Sequence, residues 1–563
     1  MDRFDLGSYS KPISTSSPDA QRWFDAGLNW CYAFNKTEGI KCFRKALEHD
    51  PECAILHWGI AYGSCPFYNL TWRDHGEREA NAATGTAFEH IELARTFFHT
   101  ASEVEKRLVE ALAFRIQKPY GVPPEEFDRW DDAYAAEMRR VHLEYPSDPD
   151  VTALFVEALI TRTPRRLWDV KTGRPARNSD VLEALSVCER GIDADRLSGG
   201  QPNPALLHLH IHILEMSNEP ERASASAAAL APLCPDGGHL NHMPAHVYML
   251  IGDYQTAKEA SEKAIAANDK FLAYAGTLTP YTTACAHDLL LMMHACMFLG
   301  RYGDAIGAAN KLSGMVTEEV LALRDRPKFT TSLEGYKSMC THVMVRFGKW
   351  NEIIDAPLPR DPETYPVTTA MLHYAKGVAH ATLRNFVAAE RERMLFLERV
   401  SRIPADRKVF NNTAKSILSV AESMLEGELA YHQGHYEAAF VHLREAVSRD
   451  DGLEYVEPWA WMHPPRHALG ALLAEQGHFA EAEQCFRDDL GLSRGVQRCA
   501  QHPNNVWALQ GLAECLEERR ATDELNEIKS RLGQVRLLAD MPIEAACMCR
   551  LGSTEISAPR PCC

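Results

Sequence analysis

Apolar residues recur every three to four positions along almost the whole chain, with polar residues between them. No stretch alternates apolar and polar residues convincingly over a strand's length. This pattern predicts amphipathic helices throughout and no substantial sheet. A longer period overlies the short one. Small residues return where two helices would cross, and bulky ones return between them. Two irregular, proline-rich stretches interrupt the pattern, at 355–368 and 453–465. The first is expected to be a linker between two blocks of helices. The second is expected to be a long aromatic connection inside the C-terminal block.

The longer period carries the signature of a tetratricopeptide unit, two antiparallel helices of about 34 residues. In the clearest copy, Trp23, Gly27, Trp30, Gly39, Phe43, Ala46 and Pro51 stand at the signature positions. Later copies carry Tyr248, Gly252, Tyr254, Ala257 and Ala264; Gly300, Tyr302 and Ala305; and Gly377, Phe386 and Ala389. Nearer the C-terminus come Gly427, Gly434, Tyr436, Ala439, Leu443 and Ala446, then Gly470, Gly477, Phe479, Ala482 and Phe486. Trp507 and Gly511 open a last, degenerate copy. The expected fold is all-α, a helical-repeat solenoid of antiparallel helix pairs. Its expected parts are an N-terminal extension (1–20), N-terminal repeats (21–354), the linker (355–368), C-terminal repeats (369–540) and a cysteine-containing tail (541–563). Such arrays present a concave face that holds peptides or partner helices.

Composition narrows the function classes. With 60 basic against 77 acidic residues among 563, the net charge of −17 is spread along the chain. Nucleic acid and anionic membranes would need a concentrated basic face, so neither is an expected partner. The N-terminus lacks an apolar signal core, and no run of 18 apolar residues occurs, so a cytoplasmic location is the expectation. The sixteen cysteines then read as reduced thiols. Cys31, Cys42, Cys53 and Cys65, spaced by about three helical turns, read as core residues. Cys547, Cys549, Cys562 and Cys563 fall in a tail expected to be irregular.

Histidine is the residue that changes the picture. Eight of the 24 histidines lie between His208 and His294, six of them in two tight clusters. Imidazole is the commonest ligand for borderline metals. On a helix, His208 and His212 share a face with Glu215, and His210 points the other way. His242-Met-Pro-Ala-His246 resembles a His-x-x-x-His pair. Pro244, however, reads as the first residue of a helix, which would leave His242 just outside it. The glutamate of the zinc-protease motif is absent, which excludes that class. His212, His246 and His287 are spaced by close to one repeat each and are expected to project from successive helices toward one point. Glu157, on an apolar helix face, should be paired or metal-bound if buried. The chain contains no Walker loop, Gly-x-Gly-x-x-Gly, nucleophile elbow or partnered Cys-x-x-Cys.

These residues resemble those of a group of large tetratricopeptide-repeat proteins of bacteria and fungi. The resemblance rests on Trp30 to Asn35, Trp58 to Ala61, Leu154 to Leu159, Leu167 to Asp169 with Thr172 to Pro175, and His212 to Glu215. It extends through Gly238 to His246, whose His-Met-Pro-x-His element is its most specific part, and on to His287. Glu457, Pro458, Trp461, Pro464, Arg466, Trp507 and Leu509 continue it. The resemblance implies the fold and names no reaction.

The expected function is that of a metal-dependent enzyme on a repeat scaffold, a non-haem oxidoreductase or oxygenase acting on a small organic molecule. His212, His242, His246 and His287 would hold iron, copper or zinc, with Glu215 or Glu157 as base or added ligand. Trp30, Asn35, Tyr68, His294 and Trp461 would contact substrate. The alternative is a non-catalytic scaffold that binds a peptide or protein on its concave face.

Overall fold

The computed structural model describes residues 3–323 and 327–551. Almost all regular structure among them is α-helical, and consecutive helices pair antiparallel as the repeat pattern predicts. Two short hairpins and five short 3-10 turns are the exceptions among the described residues. Trp168–Asp169 pairs with Arg174–Pro175, and Lys408–Val409 pairs with Asn412–Thr413.

Contacts divide the chain into two compact units, 1–247 with 260–276, and 248–259 with 277–563. The expected linker at 355–368 lies within the second unit, between helices Trp350–Asp355 and Pro366–Thr382.

In the first unit, helix Pro18–Tyr32 crosses Lys36–Leu47 where both lack side chains. A Cβ on Gly27 would come within 2.6 Å of the Phe43 ring and 3.0 Å of the Gly39 carbonyl. The signature glycines therefore set the distance between these helices. Helices Ala54–Ser64, Glu77–Thr96, Glu103–Arg115, Pro124–Glu144, Pro149–Thr161 and Val181–Ser198 follow. Helix Pro204–Leu214 comes next, buried on every face. It is anchored at its start by Asn203, which accepts from the Ala205 and Leu206 amides at 2.9 and 3.1 Å. The Asn203 amide in turn donates to Asp150 and Tyr9 Oη, and Asp150 also accepts from Tyr9 and Tyr32 hydroxyls. Residues 3–17, expected to be an extension, thereby pack into the unit, with Leu6, Tyr9 and Lys11 buried.

The second unit runs from Thr282–Leu299 through Thr522–Arg536 as further helix pairs. Thr282–Leu299 is long and apolar enough to cross a bilayer by length and composition, although Asp288 and its histidines interrupt the apolar run. Its 18 residues are 78% buried within the protein, as a core helix requires. The tail also departs from expectation. Ile543, Ala545, Ala546, Met548 and Cys549 are buried, and Arg346 donates to the Ala546 carbonyl at 2.5 Å. Apolar side chains, hydrogen bonds to the Ile543, Glu544 and Ala546 carbonyls and the Arg550–Glu514 ion pair hold it in place. Cys562 and Cys563 lie outside the described residues.

Candidate metal centre

Two helices of the first unit supply the histidines. On Pro204–Leu214, the 3.6-residue period puts His208 and His212 on one face, their ring centroids 4.8 Å apart. His210 turns away, its Nδ1 2.8 Å from Ser226 Oγ and its Nε2 3.6 Å from Glu189. The second helix corrects the sequence reading. It runs from Gly238 to Ile251, so Pro244 lies inside it and His242 is helical. Proline cannot donate to the Leu240 carbonyl, but tertiary packing outweighs that loss of about 3 kcal/mol. The result is a spacing of three and four residues that lets His239, His242 and His246 share a face.

Glu215 follows the last turn of the first helix and organises both sets. Its Oε1 accepts from His212 Nδ1 at 3.0 Å, and its Oε2 accepts from His246 Nδ1 at 2.6 Å. The carboxylate therefore fixes the tautomer of both rings and leaves each Nε2 with a lone pair. His208 is set the same way, its Nδ1–H donating to the Tyr32 carbonyl at 2.9 Å. His208 Nε2 then faces His239 Nε2 at 3.1 Å, and His246 Nε2 faces His242 Nε2 at 2.6 Å. His208, His212 and His239 each bring one ring nitrogen within 4.8 Å of the other two.

Burial decides the charge of these rings. It pushes His208 and His212 well below the usual imidazole range, and the neighbouring imidazoles add to the effect. Both are neutral, the form that binds metal. Burial also raises Glu215, against the opposing hydrogen bond from His246. His212 Nε2 is fully buried and has no hydrogen-bond partner. An orphaned lone pair of that kind is costly unless something positive meets it. The donor set fits a transition metal ion.

Aromatic rings close over the imidazoles. Phe34 lies 4.4 Å from His208, 5.0 Å from His239 and 5.8 Å from His212, and Tyr68 lies 4.7 Å from His212. Phe34 holds φ at +56°, the left-handed position that ends helix Pro18–Tyr32. Gly252, Gly300, Gly434 and Gly477 occupy the same helix-end position elsewhere. A phenylalanine there costs about 1–2 kcal/mol of backbone strain. Packing of its ring against three imidazoles offsets that cost.

Of the expected ligands, His212, His242 and His246 come together in the first unit with Glu215. His287 lies on Thr282–Leu299 of the second unit, edge-on to Tyr336 at 6.2 Å. His208, which the sequence put on the face of His212 without making it a ligand, and His239 also belong to the cluster. The i, i+4 pair His208/His212 was the available signal for one. A helix running through Pro244 would have given the other. Glu157 is buried and paired, accepting from Tyr62 Oη at 2.7 Å with Lys36 Nζ at 3.5 Å.

Among the expected substrate contacts, only Tyr68 lies against the first-unit imidazoles. Trp30 packs on Phe4 and Phe271, and Asn35 begins helix Lys36–Leu47. In the second unit, His294 stacks on Phe298 and meets Trp459, while Trp461 packs on His342 and Tyr374.

Comparison with known proteins gives the repeat a name. A tetratricopeptide repeat model matches residues 239–271, a span that includes His239, His242 and His246. No curated protein matches the chain. Among solved structures, the human IFIT1 dimer with PPP-AAAA is 13% identical, covering 91% of this chain and 89% of that one, with a TM-score of 0.31. The APC/C hetero-tetramer Cut9-Hcn1 is 11% identical over 88% of this chain and 90% of that one, TM-score 0.26. Ypp1 is 10% identical over 94% and 89%, TM-score 0.34. The fold is an all-α array of antiparallel helix pairs, in which residues 239–271 match a tetratricopeptide repeat.

Proposed function

We propose that this protein is a metal-pinned repeat scaffold. Its first unit holds a transition metal ion (iron, copper or zinc) among neutral imidazoles, and its helical surface binds a peptide or protein partner. The observation that carries the metal reading is the Glu215 carboxylate bridging His212 Nδ1 and His246 Nδ1. Carboxylates that orient imidazoles from behind are the usual support of metal-binding histidine. His208, His212 and His239 would hold the ion, with the His242–His246 pair beside them. The near-complete burial of these rings favours an ion that stabilises the fold over one that turns over substrate.

A groove in the first unit supports the partner reading. It is lined by Leu143, which is 74% exposed, with Phe155 and Val187, and by Arg190 and the ion pair of Arg139 with Glu183 at 2.7 Å. An apolar floor with charges of both signs at its rim suits an apolar anchor on a peptide or protein partner.

The second reading, a non-haem oxidoreductase acting on a small organic molecule, is favoured by Phe34. This ring covers the imidazoles but is itself only partly buried, so its displacement would open a path. Loading the metal-free protein with Fe(II) under anaerobic conditions and adding nitric oxide separates the two. A closed, structural site gives no ferrous-nitrosyl signal by electron paramagnetic resonance. A stoichiometric signal overturns the scaffold reading in favour of the enzyme.

A further inference from the structure

A second cluster of metal-ligating groups lies in the second unit, and it is chemically unlike the first. Residues 541–551 dock there, placing Met548 against Gly348, where an added Cβ would lie 2.9 Å from Met548 Cβ. This brings Cys547 and Cys549 to the wall of a small cavity also lined by Arg346, Tyr374, Glu428, His463 and His467. The two sulfurs are joined as a disulfide. One Glu428 carboxylate oxygen and both sulfurs lie within 4.8 Å of one another.

Glu428 is the observation that points to a ligand. It sits on helix Ala414–His432 and is 1% exposed, yet its Oε2 has no hydrogen-bond partner. The nearest cation-forming group is His432 Nε2 at 3.6 Å. A buried carboxylate oxygen left in that state beside two sulfurs supplies three of the four donors of a tetrahedral site for a thiophilic divalent cation. His463 is not offered as a ligand, because its Nδ1 faces His342 Nδ1 at 2.8 Å and its Nε2 faces Tyr374 Oη at 3.4 Å.

We propose that Cys547, Cys549 and Glu428 form a thiol-gated site for a zinc-class cation, closed when the cysteines are oxidised and open when they are reduced. A dithiol reductant transfers two electrons and two protons to the disulfide; the S–S bond breaks, two thiols form, and the reductant leaves as its own disulfide. Binding of the cation then displaces one proton from each thiol, and the two thiolates with the Glu428 carboxylate hold the ion. Oxidation by a disulfide such as oxidised glutathione reverses the first step and expels the ion. This site is independent of the histidine centre, whose donors are nitrogens.

Cobalt(II) tests it, because thiolate-to-cobalt absorption reports sulfur ligation and imidazole gives none. Full-length protein carrying Cys562→Ser and Cys563→Ser, reduced and freed of reductant under anaerobic conditions, is titrated with cobalt(II). The thiolate band should saturate at one ion per chain, vanish in Cys547→Ser/Cys549→Ser and persist in His239→Ala. Glu428→Gln, which preserves shape, should weaken binding roughly tenfold or more. Protein treated with oxidised glutathione should show no band. Absence of the band in reduced protein, or its survival in the double cysteine variant, overturns the site. Equal binding by oxidised protein overturns the gate, and unchanged affinity in Glu428→Gln removes that ligand. Thermal unfolding of each variant confirms that it is folded.

Discussion

Phe34 shows how one residue can be spent on a site rather than on the fold. At four equivalent helix ends the chain uses Gly252, Gly300, Gly434 and Gly477, which adopt the left-handed conformation without a Cβ, while Arg384 and Arg520 hold it at two others. Phe34→Gly should relieve about 1 kcal/mol of backbone strain while removing the ring over His208, His212 and His239. The expected outcome is a metal-loaded protein of near-normal stability that releases its ion to a chelator several-fold faster. An unchanged release rate would mean that the ring does not cover the ion. At this scale the sequence showed which residue types gather but not their roles. Glu215 reads as a base or ligand from its spacing, and only the folded geometry shows it holding two rings by their Nδ1 atoms.

The helix pair is the scale at which the sequence was most legible. The 3.6-residue period and the spaced glycines predict the pairs, and Gly27 and Gly39 lie where the helices touch. Gly27→Ala would drive a methyl into Phe43 and the Gly39 backbone, costing about 1–3 kcal/mol. Chemical denaturation should record that loss, and an unchanged midpoint would contradict the close crossing. Pro244 marks where local rules gave way. Its backbone preference argues for a helix start, yet burial of Leu240, Met243, Ala245 and Val247 carries the helix back to Gly238. His239 was missed for that reason: its face exists only if the helix precedes the proline. The two hairpins escaped notice because each strand spans two residues, too short for a period to register.

At the scale of the whole molecule, the period gives no sign that 1–247 packs with 260–276 as one unit and 248–259 with 277–563 as another. That division depends on long-range packing, which periodicity does not encode. Each unit buries its own histidines, and this sets a shared acid sensitivity. In the second unit, burial lowers His342 to about 3, and burial with nearby His342 and Arg346 holds His463 well below the usual range. Both are neutral when folded and titrate near 6.5 when unfolded. Below that value the unfolded chain binds more protons, so stability falls as pH drops from about 6.5 toward 4, by up to about 1.4 kcal/mol per pH unit for each ring. Urea midpoints of the metal-free protein between pH 4.5 and 7.5 should rise with pH and level off above about 7. A flat profile would mean that these rings are not buried.

The central claim is that Glu215 and the neutral imidazoles of the first unit hold a metal ion. Elemental analysis by mass spectrometry, on protein purified without a nickel column, tests it most directly. With the Cys547–Cys549 disulfide kept closed by oxidised glutathione, metal content should be close to one transition metal ion per chain, lost in His208→Ala, His212→Ala and His239→Ala, reduced roughly tenfold or more in affinity by Glu215→Gln, and retained in His210→Ala. Protein that binds no stoichiometric metal even when iron, copper and zinc are supplied, or whose metal content is the same in all five variants, would contradict it.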